Sequence, residues 1–221
     1  MRRYIRTIFD INRFWNNHEA DLVRRRAILS GETMTTVRDE MAFLQGFLRH
    51  PGQVGAVIPS SSFLEKRLVR AASVEEASCV VELGPGTGGT TRALLKAMRA
   101  DSSLLAIELN SNFLARLASG IDDPRLLLQL GSAENLADFV AGRKLPAPEV
   151  ILSGIPFSTL PPTVADQVAR AVAGVLAPGG RFIAYQVRTR VTNYINPYLG
   201  RAKKEREMLN IPPVQIFVWT K

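Results

Sequence analysis

The chain has 221 residues, 46% hydrophobic and 22% charged, which suits a soluble globular protein with one α/β domain and an appendage. No run approaches the roughly 18–20 uninterrupted apolar residues of a membrane-spanning helix, and the basic N-terminus lacks a signal peptide's apolar centre and cleavage site. A formal charge of +8 calls for an anionic partner without choosing among nucleic acid, membrane surface and acidic small molecules, and a single cysteine, Cys79, excludes an internal disulfide.

Residues 1–29 have a helical pattern. Tyr4, Ile8, Ile11 and Trp15 recur at helical spacing beside Arg2, Arg3, Arg6 and Arg13, and the first 26 residues hold seven arginines against three acidic residues. Aromatics on one face and arginine on the other fit a helix lying on an anionic membrane surface, although a buried amphipathic helix carries the same stripe. Residues 30–75 contain two shorter helical segments around a Gly/Pro/Ser-rich loop, His50 to Ser62. The expected division is therefore an N-terminal arm and covering segment over 1–75, then a domain over 76–221.

From residue 78 onward, short apolar runs alternate with amphipathic segments. Strands are expected at Ser78–Leu83, Ser103–Glu108, Leu126–Leu130, Val150–Ser153, Arg181–Val187 and Val214–Thr220. Helices are expected at about Thr90–Arg99, Asn112–Ser119 and Thr163–Leu176. Right-handed crossovers between such units give an α/β fold with a doubly wound, mostly parallel sheet, an N-terminal helical extension, and an antiparallel pair near the sheet's end. Cys79 falls inside the first strand and is read as a buried thiol of a cytoplasmic protein. His18 and His50 stand alone, so no metal constellation is expected.

The turn after the first strand reads Glu82-Leu83-Gly84-Pro85-Gly86-Thr87-Gly88-Gly89. Gly84-x-Gly86-x-x-Gly89 brings backbone N–H groups and a helix N-terminus to a ligand, and by itself it fits a dinucleotide equally well. Two carboxylates tilt the reading. Glu82 sits on the strand just before the loop, and Glu108 closes the second strand where it can accept both ribose hydroxyls. Carboxylates crowding this loop are awkward for a pyrophosphate and suitable for a cationic sulfonium.

Val80 through Gly88 resembles the first motif of class I S-adenosylmethionine-dependent methyltransferases, with Pro85 and Thr87 filling the loop as they do there. Leu176-Ala177-Pro178-Gly179-Gly180-Arg181 resembles the entry to their fifth strand. More narrowly, Phe47-Leu48-Arg49, Val54 to Ser61, Ser153 to Phe157 and Asn210 to Val214 resemble bacterial phospholipid N-methyltransferases, a pattern that ribosomal RNA adenine dimethyltransferases share in part. The resemblance implies a Rossmann-like fold that binds S-adenosyl-L-methionine through Glu82, Gly84, Gly86, Gly88, Glu108, Leu109, Ser132, Ala133 and Ser153. It also implies N-methylation of the phosphatidylethanolamine headgroup toward phosphatidylcholine, at the inner membrane surface, with RNA adenine or a small-molecule amine as alternative acceptors. One departure follows the third strand. Gly131-Ser132-Ala133-Glu134 has no acidic residue immediately after the strand to hold the adenine amino group, which leaves Ser132 or, one turn later, Glu134 for that task.

Ligands of open α/β sheets bind at the carboxyl ends of the strands, where the fourth strand here runs into Ser153-Gly154-Ile155-Pro156-Phe157. The dimethyltransferases carry an Asn/Asp-Pro-Pro-aromatic type of motif there, and Ser153 in place of Asn or Asp favours an aliphatic amine. Ser153 and Tyr185 are the candidate catalytic residues. Ile155, Pro156, Phe157, Tyr185 and Arg188 are the candidate substrate contacts, Arg188 as a partner for a lipid phosphate.

Overall fold

The structure is a computed structural model that describes residues 62–207 and 214–221. The arm over 1–29, the first of the two helical segments in 30–75, and Asn210 to Pro213 lie outside the described residues. The chain divides between Phe47 and Leu48, and every described residue belongs to the second unit.

Within that unit the six expected strands are present, each within one residue of its expected bounds, and a seventh joins them. The strands are β1 (Cys79–Leu83), β2 (Ser103–Glu108), β3 (Leu126–Leu130), β4 (Val150–Ser153), β5 (Arg181–Gln186), β6 (Lys203–Glu207) and β7 (Val214–Thr220). They form one sheet in the order β3-β2-β1-β4-β5-β7-β6, with β7 antiparallel to both β5 and β6 and the remaining pairs parallel. The helices are α1 (Ser62–Ala72), α2 (Gly89–Ala97), α3 (Ser111–Gly120), α4 (Leu136–Gly142), α5 (Pro162–Val175) and α6 (Val191–Leu199). The order reverses between β1 and β4, so the first loop and the loop after β4 open side by side. Every residue of β1 and of β4 is buried, as both faces of a central parallel strand must be.

Three elements escaped the sequence. The strand β6, Lys-Lys-Glu-Arg-Glu, has no apolar alternation because it is the sheet's edge. Lys203, Lys204 and Glu205 are exposed there, and charges on an edge discourage pairing with another chain. The helix α6 contains Pro197, which masks a helical pattern whose buried face is only Val191 and Ile195. The helix α4 is seven residues long, follows a single 3-10 turn at Ala133–Asn135, and buries only Leu136 and Val140.

The break expected at residue 75 lies inside the unit. Leu64, Leu68 and Ala72 recur every four residues along α1 and are fully buried in a cluster with Leu94, Leu104, Ile183 and Ile216. One face of α1 is thus part of the domain core. At the far side, Trp219 packs at a tilt against Phe182 (5.4 Å), stacks on Phe217 (5.9 Å) and donates from its indole N–H to Asn196 Oδ1 at 2.9 Å, which fastens β7 to β5 and to α6. Cys79 is buried, and burial followed by the Glu149 carboxylate pushes its thiol up to about 11.

Leu68→Ala should cost about 2–5 kcal/mol of stability, the usual range for a fully buried leucine, whereas Lys66→Ala on the exposed face should stay within about 0.5 kcal/mol. Chemical denaturation of both variants checks that α1 belongs to the core of this unit.

Candidate active site

The site begins with a buried charge. Glu82 lies in β1 at 1% exposure, and its Oε2 accepts a 2.7 Å hydrogen bond from the Thr91 hydroxyl one turn into α2. Burial raises its pKa to about 7; the Thr91 hydrogen bond opposes that rise and Glu108 adds to it. Glu108, at the end of β2 and 4% exposed, accepts from Gly86 N at 3.1 Å and from Asn110 N at 2.9 Å. Burial raises its pKa too, against the backbone N–H groups that lower it. Backbone N–H groups of Gly86, Asn110 and Leu109 thus converge on Glu108, which ties the glycine loop to the end of β2.

The loop glycines are needed for different reasons. A Cβ at Gly88 would lie 2.4 Å from the Leu117 side chain, and one at Gly89 would lie 2.3 Å from Glu65 Oε1, so both glycines admit close packing. At Gly86 a Cβ would meet nothing within 4 Å, although the φ of +55° still disfavours a side chain. The open side of the loop is at Gly86, whose N–H is held by Glu108. Arg92 secures the other side, donating to the carbonyls of Gly88 (3.1 Å), Thr87 (3.3 Å) and Gly120 (3.3 Å).

After β4 the chain turns sharply. Ser153 is fully buried, and its Oγ accepts from Ile155 N at 3.3 Å. A Cβ at Gly154 would sit 2.6 Å from the Tyr185 hydroxyl and 2.9 Å from the Gly84 carbonyl oxygen. Only glycine lets these two oxygens close on the turn, and that brings Tyr185 from β5 to the glycine loop. Ile155 and Pro156 are half-buried. Phe157 is wholly inside, its ring centroid 6.4 Å from that of Tyr194, so it anchors the turn from beneath. Arg188 is exposed beyond the end of β5. Leu109 is half-buried after β2, and Ser132 and Ala133 are buried after β3. Ser132 donates from its hydroxyl to Glu134 Oε2 at 2.8 Å, which couples the two residues considered for the adenine. Thr91, Glu65 and Arg92 carried no signal in the sequence because their contacts arise only when α1 and α2 pack around the loop.

The residues fit a cationic cofactor. Two buried carboxylates with raised pKa values require positive charge or hydroxyl donors nearby, and the loop leaves open space beside them. No family model matches the chain. Ornithine lipid N-methyltransferase of Singulisphaera acidiphila is 30% identical over 148 residues, which cover 66% of this chain and 77% of that protein. The chain belongs to the class I S-adenosylmethionine-dependent methyltransferases. Ribosomal RNA small subunit methyltransferase A of Caulobacter vibrioides is 36% identical to this methyltransferase over 95 residues, 42% of this chain and 34% of that protein. The O-methyltransferase TomG of Streptomyces achromogenes, solved with S-adenosylmethionine, shares the fold at a TM-score of 0.60 and 14% identity, over 82% of this chain and 89% of that one. The methyltransferase accordingly uses S-adenosylmethionine as its methyl donor.

Two predictions follow from the carboxylates. Because its folded pKa is raised from 4.5 to about 7, Glu82 stabilises the cofactor-free protein most below pH 4.5 and loses that contribution as pH rises through 7. A cation binds the ionised form, so cofactor affinity should rise with pH up to about 7 and then level off. Calorimetric titrations between pH 5.5 and 8 should show this rise relative to Glu82→Gln, a comparison that cancels the cofactor's own ionisation. Glu108→Ala should weaken cofactor binding about tenfold or more, the loss of roughly 1.5–3 kcal/mol for a hydrogen bond to a charged group.

Proposed function

We propose that the methyltransferase N-methylates a primary aliphatic amine carried by a membrane lipid. The observation that carries this reading is the turn after β4, where the side chains offered at the sheet's carboxyl edge are the hydroxyls of Ser153 and Tyr185, with glycine between them. An aromatic exocyclic amine delocalises its lone pair and needs strong in-plane acceptors to become nucleophilic. An aliphatic amine needs only to be neutral, desolvated and aligned. The name of the Singulisphaera relative supports a lipid amine, and ornithine lipid stands beside phosphatidylethanolamine as the acceptor.

In this reading Glu82, Gly84, Gly86, Gly88, Glu108, Leu109, Ser132, Ala133 and Ser153 hold the cofactor. When bound there, S-adenosylmethionine supplies an electrophilic methyl group on its sulfonium. Glu82 balances the positive charge of the cofactor's methionine end, and Glu108 accepts the ribose hydroxyls beside the backbone donors it already holds. Tyr185, pressed against Gly154, accepts an N–H of the acceptor and turns its lone pair toward the methyl group. Ile155 and Pro156 exclude water from the path, and Phe157 fixes their position from below. Arg188 meets an anionic group of the lipid headgroup. The arginine-rich residues 1–29 meet the anionic inner surface of the membrane, each arginine contributing roughly 1 kcal/mol near such a surface.

Radiolabelled cofactor with vesicles containing ornithine lipid or phosphatidylethanolamine, and in parallel with total RNA, tests the acceptor. Label is expected in a lipid amine. Label confined to RNA would overturn the reading in favour of the adenine chemistry that the Caulobacter relative's name suggests. Deleting residues 1–29 should abolish flotation with anionic vesicles and leave cofactor affinity unchanged, with salt weakening the intact protein's binding.

A further inference from the structure

We infer that Gln186 is a positioning residue of the methyl-transfer site, holding the Ile155 carbonyl so that the turn after β4 keeps its shape and keeps that oxygen from the acceptor. Gln186 is the last residue of β5 and is 6% exposed. Its Nε2 donates to the Ile155 carbonyl at 2.6 Å, across 31 residues of chain. The same carbonyl accepts the Phe157 N–H at 3.0 Å, so both of its lone pairs are in use. At the head of the turn, Ser153 Oγ takes the Ile155 N–H.

The consequence is one of geometry and one of selectivity. Ile155 and Pro156 stand between two fixed points, the end of β4 and the end of β5, and the Gln186 side chain joins them through this carbonyl. With the carbonyl occupied, the turn presents no backbone acceptor at Ile155 to a planar amine. This inference rests on the assignment of the β4 turn to the acceptor.

Three proteins test it: the wild type, Gln186→Leu and Gln186→Glu. Each is assayed on ornithine lipid vesicles, phosphatidylethanolamine vesicles and RNA, with cofactor affinity measured separately by calorimetry. Gln186→Leu should lower kcat roughly tenfold, the worth of one hydrogen bond at the transition state, and leave the cofactor dissociation constant unchanged. Gln186→Glu should match that loss at pH 8. As pH falls toward 6, its activity relative to wild type at the same pH should recover, because a protonated buried carboxyl regains an O–H to donate to Ile155. A purely structural side chain would lower the melting temperature without this pH-dependent ratio. A Gln186→Glu ratio that stays flat with pH overturns the inference, and so does a Gln186→Leu kcat within twofold of wild type. Should Gln186→Leu fail to fold, the pH ratio of Gln186→Glu decides alone. The wild-type row speaks to the acceptor itself, since RNA labelling there would sink the lipid reading while the variant rows still judge Gln186.

Discussion

A carboxylate buried in the central strand of a sheet is costly unless something balances it. Glu82 has one neutral donor, Thr91, and a second carboxylate, Glu108, nearby. Glu108 adds to Glu82's cost of ionisation, and among the described residues backbone N–H groups on Glu108 and the Thr91 hydroxyl on Glu82 offset the cost of burying the two acids. The arrangement makes sense as a cation site completed by its ligand. A sulfonium and an ammonium at the glycine loop would restore the balance, whereas a pyrophosphate would add to the repulsion. The choice between the two ligand classes that share a glycine-rich first loop thus falls to two side chains.

The second constraint is proximity at the point where strand order reverses. β1 and β4 are adjacent and parallel, so the loops at their carboxyl ends compete for one volume. Gly84 and Gly154 resolve the competition by having no side chains, and Tyr185 comes from β5 to fill the space against Gly154. Glycine at 154 reads in the sequence as part of a turn, but in the structure a side chain there would collide with both the Tyr185 hydroxyl and the Gly84 carbonyl oxygen.

Much of this was legible in the sequence, and the reason differs from part to part. The parallel strands announce themselves as short apolar runs because both faces are buried, and β2, β3, β4 and β7 fall where the pattern puts them. Glu82 and Glu108 were legible because a carboxylate at the end of an apolar strand has few other reasons to be there. Elements that bury little were not legible. β6 is charged throughout, α6 hides behind Pro197, and α4 offers two buried residues. The break at residue 75 was misplaced because Leu64, Leu68 and Ala72 give α1 an apolar stripe that looks the same whether it covers a site or completes a core. Hydrogen bonds across long stretches of chain, such as Gln186 to Ile155, depend on the sheet being assembled and leave no local trace.

The buried acids also bear on the acceptor. An aliphatic amine with a pKa of about 10.4 is neutral in only about one molecule in 2,500 at pH 7, and two carboxylates nearby would hold it protonated more firmly still. A protonated amine has no lone pair to give. In the proposed reading, the cofactor's cationic end beside Glu82 and its ribose hydroxyls on Glu108 would reduce that penalty and so favour a neutral nucleophile. The hydroxyls of Ser153 and Tyr185 can then orient the amine without adding negative charge. A carboxylate at either position would again favour the ammonium form, and that gives the uncharged turn after β4 a chemical reason as well as a steric one.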